Sequence, residues 1–278
     1  MSISWDKNLR NRLIVGFIGG PLILFISFVG QWYFFGLLLL MLLLGVAEMQ
    51  LMGSSLGFSN PDIPGYLFSF IIILDFYLFA GSHLLIILIC YFSVLFLDAV
   101  IRYGENQLFE TSFRCLSTLY PSIFLSSLLL VREYEFSSGY NIGGKLIITI
   151  FLSIWFLDTL AYFSGKAFGK HPLFPQVSPK KTIEGGIGGF ISAIAAVLLV
   201  KYVFFQELSF FHGIMLGAVI GVLGQLGDMF ESFIKRKANI KDSSSILPGH
   251  GGILDRFDSL IFVSPFVYYY IVFIINDI

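Results

Sequence analysis

Asp255 and Asp258 stand three residues apart at the start of an apolar stretch, and Asp228 closes another. Carboxylates at i and i+3 share one face of a helix. With a third from a preceding helix, they can supply oxygen ligands to Mg²⁺, a hard ion that keeps waters and draws its other ligands from substrate phosphates. The bland alternative for a DxxD pair is N-terminal charge favoured by the helix dipole. Around these carboxylates lie Lys235, Arg236, Lys241 and Arg256, and the run Pro248-Gly249-His250-Gly251-Gly252. That run is incompatible with ordinary helix, and its glycines let bare backbone amides approach an anion. Asp228, Glu231, Ser232, Lys235 and Arg236 fall on one helical face carrying both signs, which equally permits an internally paired stripe.

A second polar cluster occupies residues 155–186. Trp155, Asp158 and Tyr162 form a helical stripe leading to a loop with Lys166, Lys170, Ser178, Lys180, Lys181 and Thr182, stiffened by Pro172, Pro175 and Pro179. Ammoniums and hydroxyls on a stiff loop suit a polyphosphate. Positive-inside anchoring of a membrane helix accounts for the same lysines equally well. Other chemistries are poorly supported. His83, His171, His212 and His250 are scattered without zinc spacing. Gly185-Gly186-Ile187-Gly188-Gly189 lacks both Rossmann and P-loop spacing.

The elements that must position these groups are membrane helices. The 278 residues are 56% hydrophobic and only 13% charged, with a mean hydropathy of +0.85, too few charges to cover a soluble globule. The fold expected is an all-α integral membrane protein, a polytopic bundle of about nine transmembrane helices. The candidate spans are Leu13–Gly30, Trp32–Met49, Tyr66–Ala80, His83–Val100, Cys115–Val131, Leu146–Phe163, Gly185–Val203, Phe211–Gln225 and Ser259–Ile275, one or two of them short enough for half-spans lining a cavity. The first is expected to be a retained helix, since no small-residue cleavage site follows it. With a cytoplasmic N-terminus, only Arg132, Lys145 and Lys201 of the 17 Lys and Arg residues fall outside, so the polar clusters face the cytoplasm.

One membrane domain, 1–278, is expected, with N-terminal helices of unassigned role (1–145) and catalytic helices and loops (146–278). A net charge of −1 and dispersed basic residues give no nucleic-acid surface. Five acidic residues, Asp75, Asp98, Asp158, Asp228 and Glu231, fall in or at the ends of spans, where ionised groups are costly unless paired, hydrated or metal-bound. Asp75 has no evident partner, while Asp98 and Asp228, near the ends of their spans, are open equally to a solvated cap and to a functional role. Gly217, Gly221, Gly224 and Gly227 line one side of a helix, first of all for close packing; such faces are also compatible with a homodimer. Cys90 and Cys115 read as packing residues.

The stretches Ser232-Phe233-Ile234-Lys235-Arg236, Lys241-Asp242, Leu247-Pro248-Gly249-His250-Gly251-Gly252-Ile253 and Asp255-Arg256-Phe257-Asp258 closely resemble the signature of the phosphatidate cytidylyltransferases, the CDP-diacylglycerol synthases. Asp158, Ala161, Tyr162, Gly165, Phe168, Gly169 and the run Ser178-Pro179-Lys180-Lys181-Thr182-Ile183-Glu184-Gly185 resemble the same family. The likeness covers roughly the second half of the chain. It implies CTP and phosphatidate as substrates and CDP-diacylglycerol and pyrophosphate as products; the compact chain without eukaryotic targeting signals adds the expectation of a bacterial inner (cytoplasmic) membrane, among membrane lipids. It implies Asp228, Asp255 and Asp258 as ligands of Mg²⁺, with a second metal ion left open, and Lys180, Lys181, Lys235 and Arg236 as phosphate contacts. Ser178, Thr182, Lys241, His250, Gly251, Gly252, Arg256 and Asp158 complete the expected substrate site, with Arg256 open to either a phosphate or a carboxylate. Two other readings share part of the pattern: a CTP-dependent polyprenol kinase, which would release CDP, and a transporter, which would leave the Lys/Asp/Gly cluster without a purpose.

Overall fold

A computed structural model describes residues 15–58, 62–136, 139–246 and 251–275. A π-helical turn, Val15–Gly19, leads into α1 (Gly20–Val29), followed by α2 (Gln31–Ser55), α3 (Ile63–Phe79), α4 (Leu84–Arg102), α5 (Gln107–Arg132) and α6 (Asn141–Phe168). A short antiparallel hairpin, β1 (Pro172–Phe174) and β2 (Ser178–Thr182), precedes α7 (Ile183–Val203), α8 (Phe210–Lys237) and α9 (Leu254–Tyr270), the last continued by a π-helical turn. The described part of each expected span falls on a helix to within one residue, with Leu13 and Ile14 of the first outside the described residues. Seven of the helices are long and apolar enough to cross a membrane, and 16–29 and 63–79 are shorter. The chain is an all-α polytopic membrane protein, with the proline-stiffened loop folded into the one small sheet of the described residues.

Leu38, Leu42, Val46 and Met49 of α2 recur at three- and four-residue spacing and are fully buried against α5 and α3. Large apolar side chains such as Phe25, Leu85, Phe96 and Ile101 stand exposed on the rim, as a hydrocarbon solvent requires. The glycine face of α8 is spent inside the bundle. A Cβ on Gly217 would lie 2.5 Å from the Ile194 Cα of α7, and one on Gly227 would lie 2.7 Å from the Asp258 carbonyl of α9. Small residues let these backbones meet, and that face offers no surface to a second copy.

Several charged residues between helices are paired. The buried Arg132 closes the C-terminus of α1, donating to the carbonyls of Ser27 (2.7 Å), Phe28 (2.6 Å) and Val29 (3.0 Å), acceptors without intrahelical partners. Asp75 accepts from the His83 backbone N–H and lies 2.8 Å from His83 Nδ1, a partner that the scattered-histidine reading passed over. Asp98 is no simple solvated cap: it pairs with Arg102 (2.9 Å) and with the buried Arg114, which also holds Asp62. Cys90 is exposed and Cys115 half-buried, so only the second has a packing role.

Candidate active site

The C-terminal ends of α6 and α8, the N-terminal end of α9, the hairpin and the start of α7 surround a cavity of about 1060 Å³. The N-terminal half of the chain adds Gly16, Gly19, Gly20 and Ile23 before and within α1, and Leu37, Leu40, Met41 and Leu44 of α2. The C-terminal half adds Asp158, Lys166, Ser178, Lys180, Lys181, Thr182, Asp228, Glu231, Lys235, Asp255, Arg256 and Asp258, with apolar Trp155, Leu157, Met229 and Phe257 among them. The lining thus combines hydrocarbon and glycine with ammonium, guanidinium, hydroxyl and carboxylate.

Local sequence explains how the lining is held. Thr182 caps α7, its hydroxyl accepting from the Gly185 N–H (3.1 Å), a standard use of threonine ahead of a helix. Glu184 accepts from the Lys170 and His171 backbone and sits 2.7 Å from His171 Nδ1, fastening the hairpin to α7. Lys181, projecting from β2, is ion-paired with Asp228 of α8. On α9, Asp255 is fully engaged. Its Oδ1 accepts from Lys235 Nζ (2.6 Å), and its Oδ2 accepts from Ser243 N (2.8 Å), Ser243 Oγ (2.9 Å) and Gly252 N (2.8 Å). Lys235 also pairs with Glu231, four residues earlier on α8.

Asp158, Asp228 and Asp258 lie within electrostatic reach of one another, with Lys181 and Arg256 near Asp158. Asp258 accepts the Ser259 N–H on Oδ1 (2.6 Å), and no described residue donates to its other oxygen. Glu231 keeps Oε1 buried without a donor among the described residues. The all-oxygen set of Asp158, Asp228 and Asp258, with one Asp258 oxygen lacking a donor among the described residues, fits a hard cation. Among the described residues no three His, Cys, Asp or Glu side chains close into a preformed cage, and a magnesium site completed by substrate phosphate needs none.

A family model described as the cytidylyltransferase family matches residues 10–274. The chain belongs to the cytidylyltransferase family. It is 32% identical over 266 residues to a phosphatidate cytidylyltransferase of Bacillus subtilis (strain 168), covering 94% of this chain and 97% of that one. To the phosphatidate cytidylyltransferase of Aquifex aeolicus (strain VF5) it is 35% identical over 261 residues, 94% and 90% of the two chains. A Staphylococcus haemolyticus protein of the same name is 46% identical over 123 residues, 44% of this chain and 47% of that one. Family similarity thus runs through the N-terminal helices as well as the signature.

Within this cytidylyltransferase, most expected site residues share the cavity wall, with clear exceptions. Arg236 is exposed and off the wall; it donates to the carbonyls of Val177 (3.3 Å) and Ile240 (3.2 Å), bracing the hairpin turn against the end of α8. Lys241 is exposed and also off the wall. His250 lies outside the described residues. Lys235 is on the wall, yet its ammonium is committed to Glu231 and Asp255, the internally paired stripe that the sequence allowed. Gly251 and Gly252 shape the loop rather than the wall. Gly251 has φ +83°, and a Cβ on it would lie 2.7 Å from Asp255 Oδ2.

One residue was missed. Glu48 of α2, fully buried, accepts four hydrogen bonds from the signature loop and the start of α9. It belongs with the acidic residues inside spans, since the stretch Trp32–Met49 contains it. Ionised groups in apolar stretches are costly unless satisfied, and that signal was sufficient to mark it.

Proposed function

We propose that this enzyme joins CTP to phosphatidate, giving CDP-diacylglycerol and pyrophosphate, at the cytoplasmic face of a bacterial inner membrane. The observation that carries the reading is the mixed lining of the cavity: apolar residues of α1 and α2 share it with Lys180, Lys181, Arg256 and carboxylates. A substrate with acyl chains and a phosphate headgroup matches both kinds of lining, and the nucleotide shares the polar part. The names of the relatives from Bacillus and Aquifex agree with this substrate pair. The cytoplasmic orientation rests on the distribution of Lys and Arg among the loops.

A phosphatidate phosphate is already anionic near neutral pH, so its oxygen attacks the α-phosphorus of CTP without a strong base. A new P–O bond forms as the Pα–O–Pβ bridge breaks, and pyrophosphate leaves. The protein contributes placement and charge. Lys180, Lys181 and Arg256 bind phosphate oxygens, and Ser178 supplies a hydroxyl donor. Asp158, Asp228 and Asp258 are the residues that would hold Mg²⁺; bound there, it would offset the charge on the nucleotide phosphates and the leaving group. Asp255, whose oxygens already accept four hydrogen bonds, serves to position α9.

Detergent-purified protein supplied with CTP, phosphatidate and Mg²⁺ tests this directly. Pyrophosphate and CDP-diacylglycerol should form together, only with both substrates, and not in excess EDTA. Release of CDP, or no product from demonstrably folded protein, would overturn the reading.

A further inference from the structure

Glu48 lies in the half of the chain that carries no signature motif, and it does not line the cavity. Its Oε1 accepts from Ser244 Oγ (2.7 Å) and Ile253 N (2.8 Å), and its Oε2 from Ser243 Oγ (2.8 Å) and Leu254 N (2.8 Å). A carboxylate has about four acceptor sites, and all four are filled. No Lys or Arg among the described residues pairs with it, so neutral donors and a helix N-terminus alone offset its charge. The amides of Ile253 and Leu254 begin α9, where an isolated helix leaves its N–H groups without acceptors.

We propose that Glu48 is a positioning residue for the reaction, a cap supplied by α2 that fixes where α9 starts and therefore where Asp258 stands relative to Asp228. Two independent features support it. Gly252 packs so closely that a Cβ there would lie 2.5 Å from both Glu48 oxygens. Gly45, nearly one turn earlier on α2, admits the Leu254 side chain, which would come to 3.3 Å of a Cβ. The effect extends beyond the cap, because Ser243 Oγ also donates to Asp255 Oδ2 and Asp255 accepts from Lys235. Glu48 thereby connects α2, through one serine and one aspartate, to α8.

This inference rests on the proposed reaction, and its test separates the two. Glu48→Gln keeps the shape, but its single carbonyl oxygen accepts where two oxygens did and its amide nitrogen faces donors. Misplacement of reacting groups by about 1 Å costs about 10²-fold, so kcat should fall about 100-fold with the KM for CTP unchanged. Hydrogen exchange read at residue level should quicken at Ile253 and Leu254 while the α5 and α7 cores stay protected. Wild-type kcat in folded Glu48→Gln overturns the proposal, as does exchange that quickens uniformly along the chain. Should Glu48→Gln not fold, Ser243→Ala decides: it leaves the carboxylate and both backbone bonds, and must lower kcat without raising KM. If unaltered protein turns over no CTP with phosphatidate, the functional reading fails, and the exchange measurement alone judges the cap.

Discussion

Replacing Lys181 with Met separates a stabilising role from a catalytic one. In the free protein Lys181 pairs with Asp228, their side chains 33% and 31% exposed. Solvent screening leaves such a pair worth at most about 1 kcal/mol, so thermal unfolding in detergent should change little. Catalysis should change far more. A hydrogen bond to a charged group is worth about 1.5–3 kcal/mol, and at about 1.4 kcal/mol per decade a lost lysine–phosphate contact lowers kcat/KM roughly 10- to 150-fold. Lys181→Arg keeps the charge and should recover part of that loss. The assay is pyrophosphate release at varied CTP with phosphatidate in excess. Activity of Lys181→Met within about twofold of the parent, with unfolding unchanged, refutes the phosphate-binding role. A loss that merely follows reduced stability refutes it equally.

Asp258→Asn should abolish turnover in a folded protein, and EDTA should do the same to the parent; a Mg²⁺ titration of both reports whether the carboxylate acts through the ion. Arg236→Ala, which removes contacts to two carbonyls away from the cavity, should change activity by no more than about twofold, equivalent to the roughly 0.5 kcal/mol typical of surface changes; a larger loss returns Arg236 to the substrate site. Gly217→Ala forces a methyl against the α7 backbone and should cost about 1–3 kcal/mol. By contrast, Gly36→Ala in α2 meets no neighbour within 4 Å and should be neutral or gain up to about 1 kcal/mol from helix propensity, both read by thermal unfolding.

The helices were legible because hydrocarbon demands long apolar runs, and seven of the candidate spans fall on helices long and apolar enough to cross a membrane. The polar lining was legible in part because Asp158 and Asp228 lie in or at the ends of apolar stretches where charge needs a reason, and because Asp258 stands i+3 from Asp255. What the sequence hid was partner choice. Lys235 and Arg236 are adjacent, chemically alike and equally plausible as phosphate ligands, yet 100° of helical rotation buries one between carboxylates and turns the other outward to a loop carbonyl. Arg114 likewise seemed one more cytoplasmic cation, because its acidic partners come from residue 62 and residue 98. Glu48 could have been marked by its place in an apolar span, but its four donors, about 200 residues downstream, could not be read.

Those long-range bonds make the two sides of the cavity physically unequal. From Glu48 through Ser243 and Asp255 to Lys235 and Glu231, every connection is buried or nearly so, in surroundings where an unsatisfied polar atom costs about 1–3 kcal/mol. Moving α9 relative to α2 breaks several of these bonds at once. The hairpin is held by contacts that water can replace: an ion pair about one-third exposed at Lys181, an exposed arginine on the Val177 carbonyl, and His171 against Glu184. Each is worth little alone. Under the proposed reaction, Asp228 and Asp258, on helices of the stiff side, would keep their separation, while Lys181, on the side that adjusts at small cost, would release Asp228 to engage a phosphate and exchange one charge-assisted contact for another.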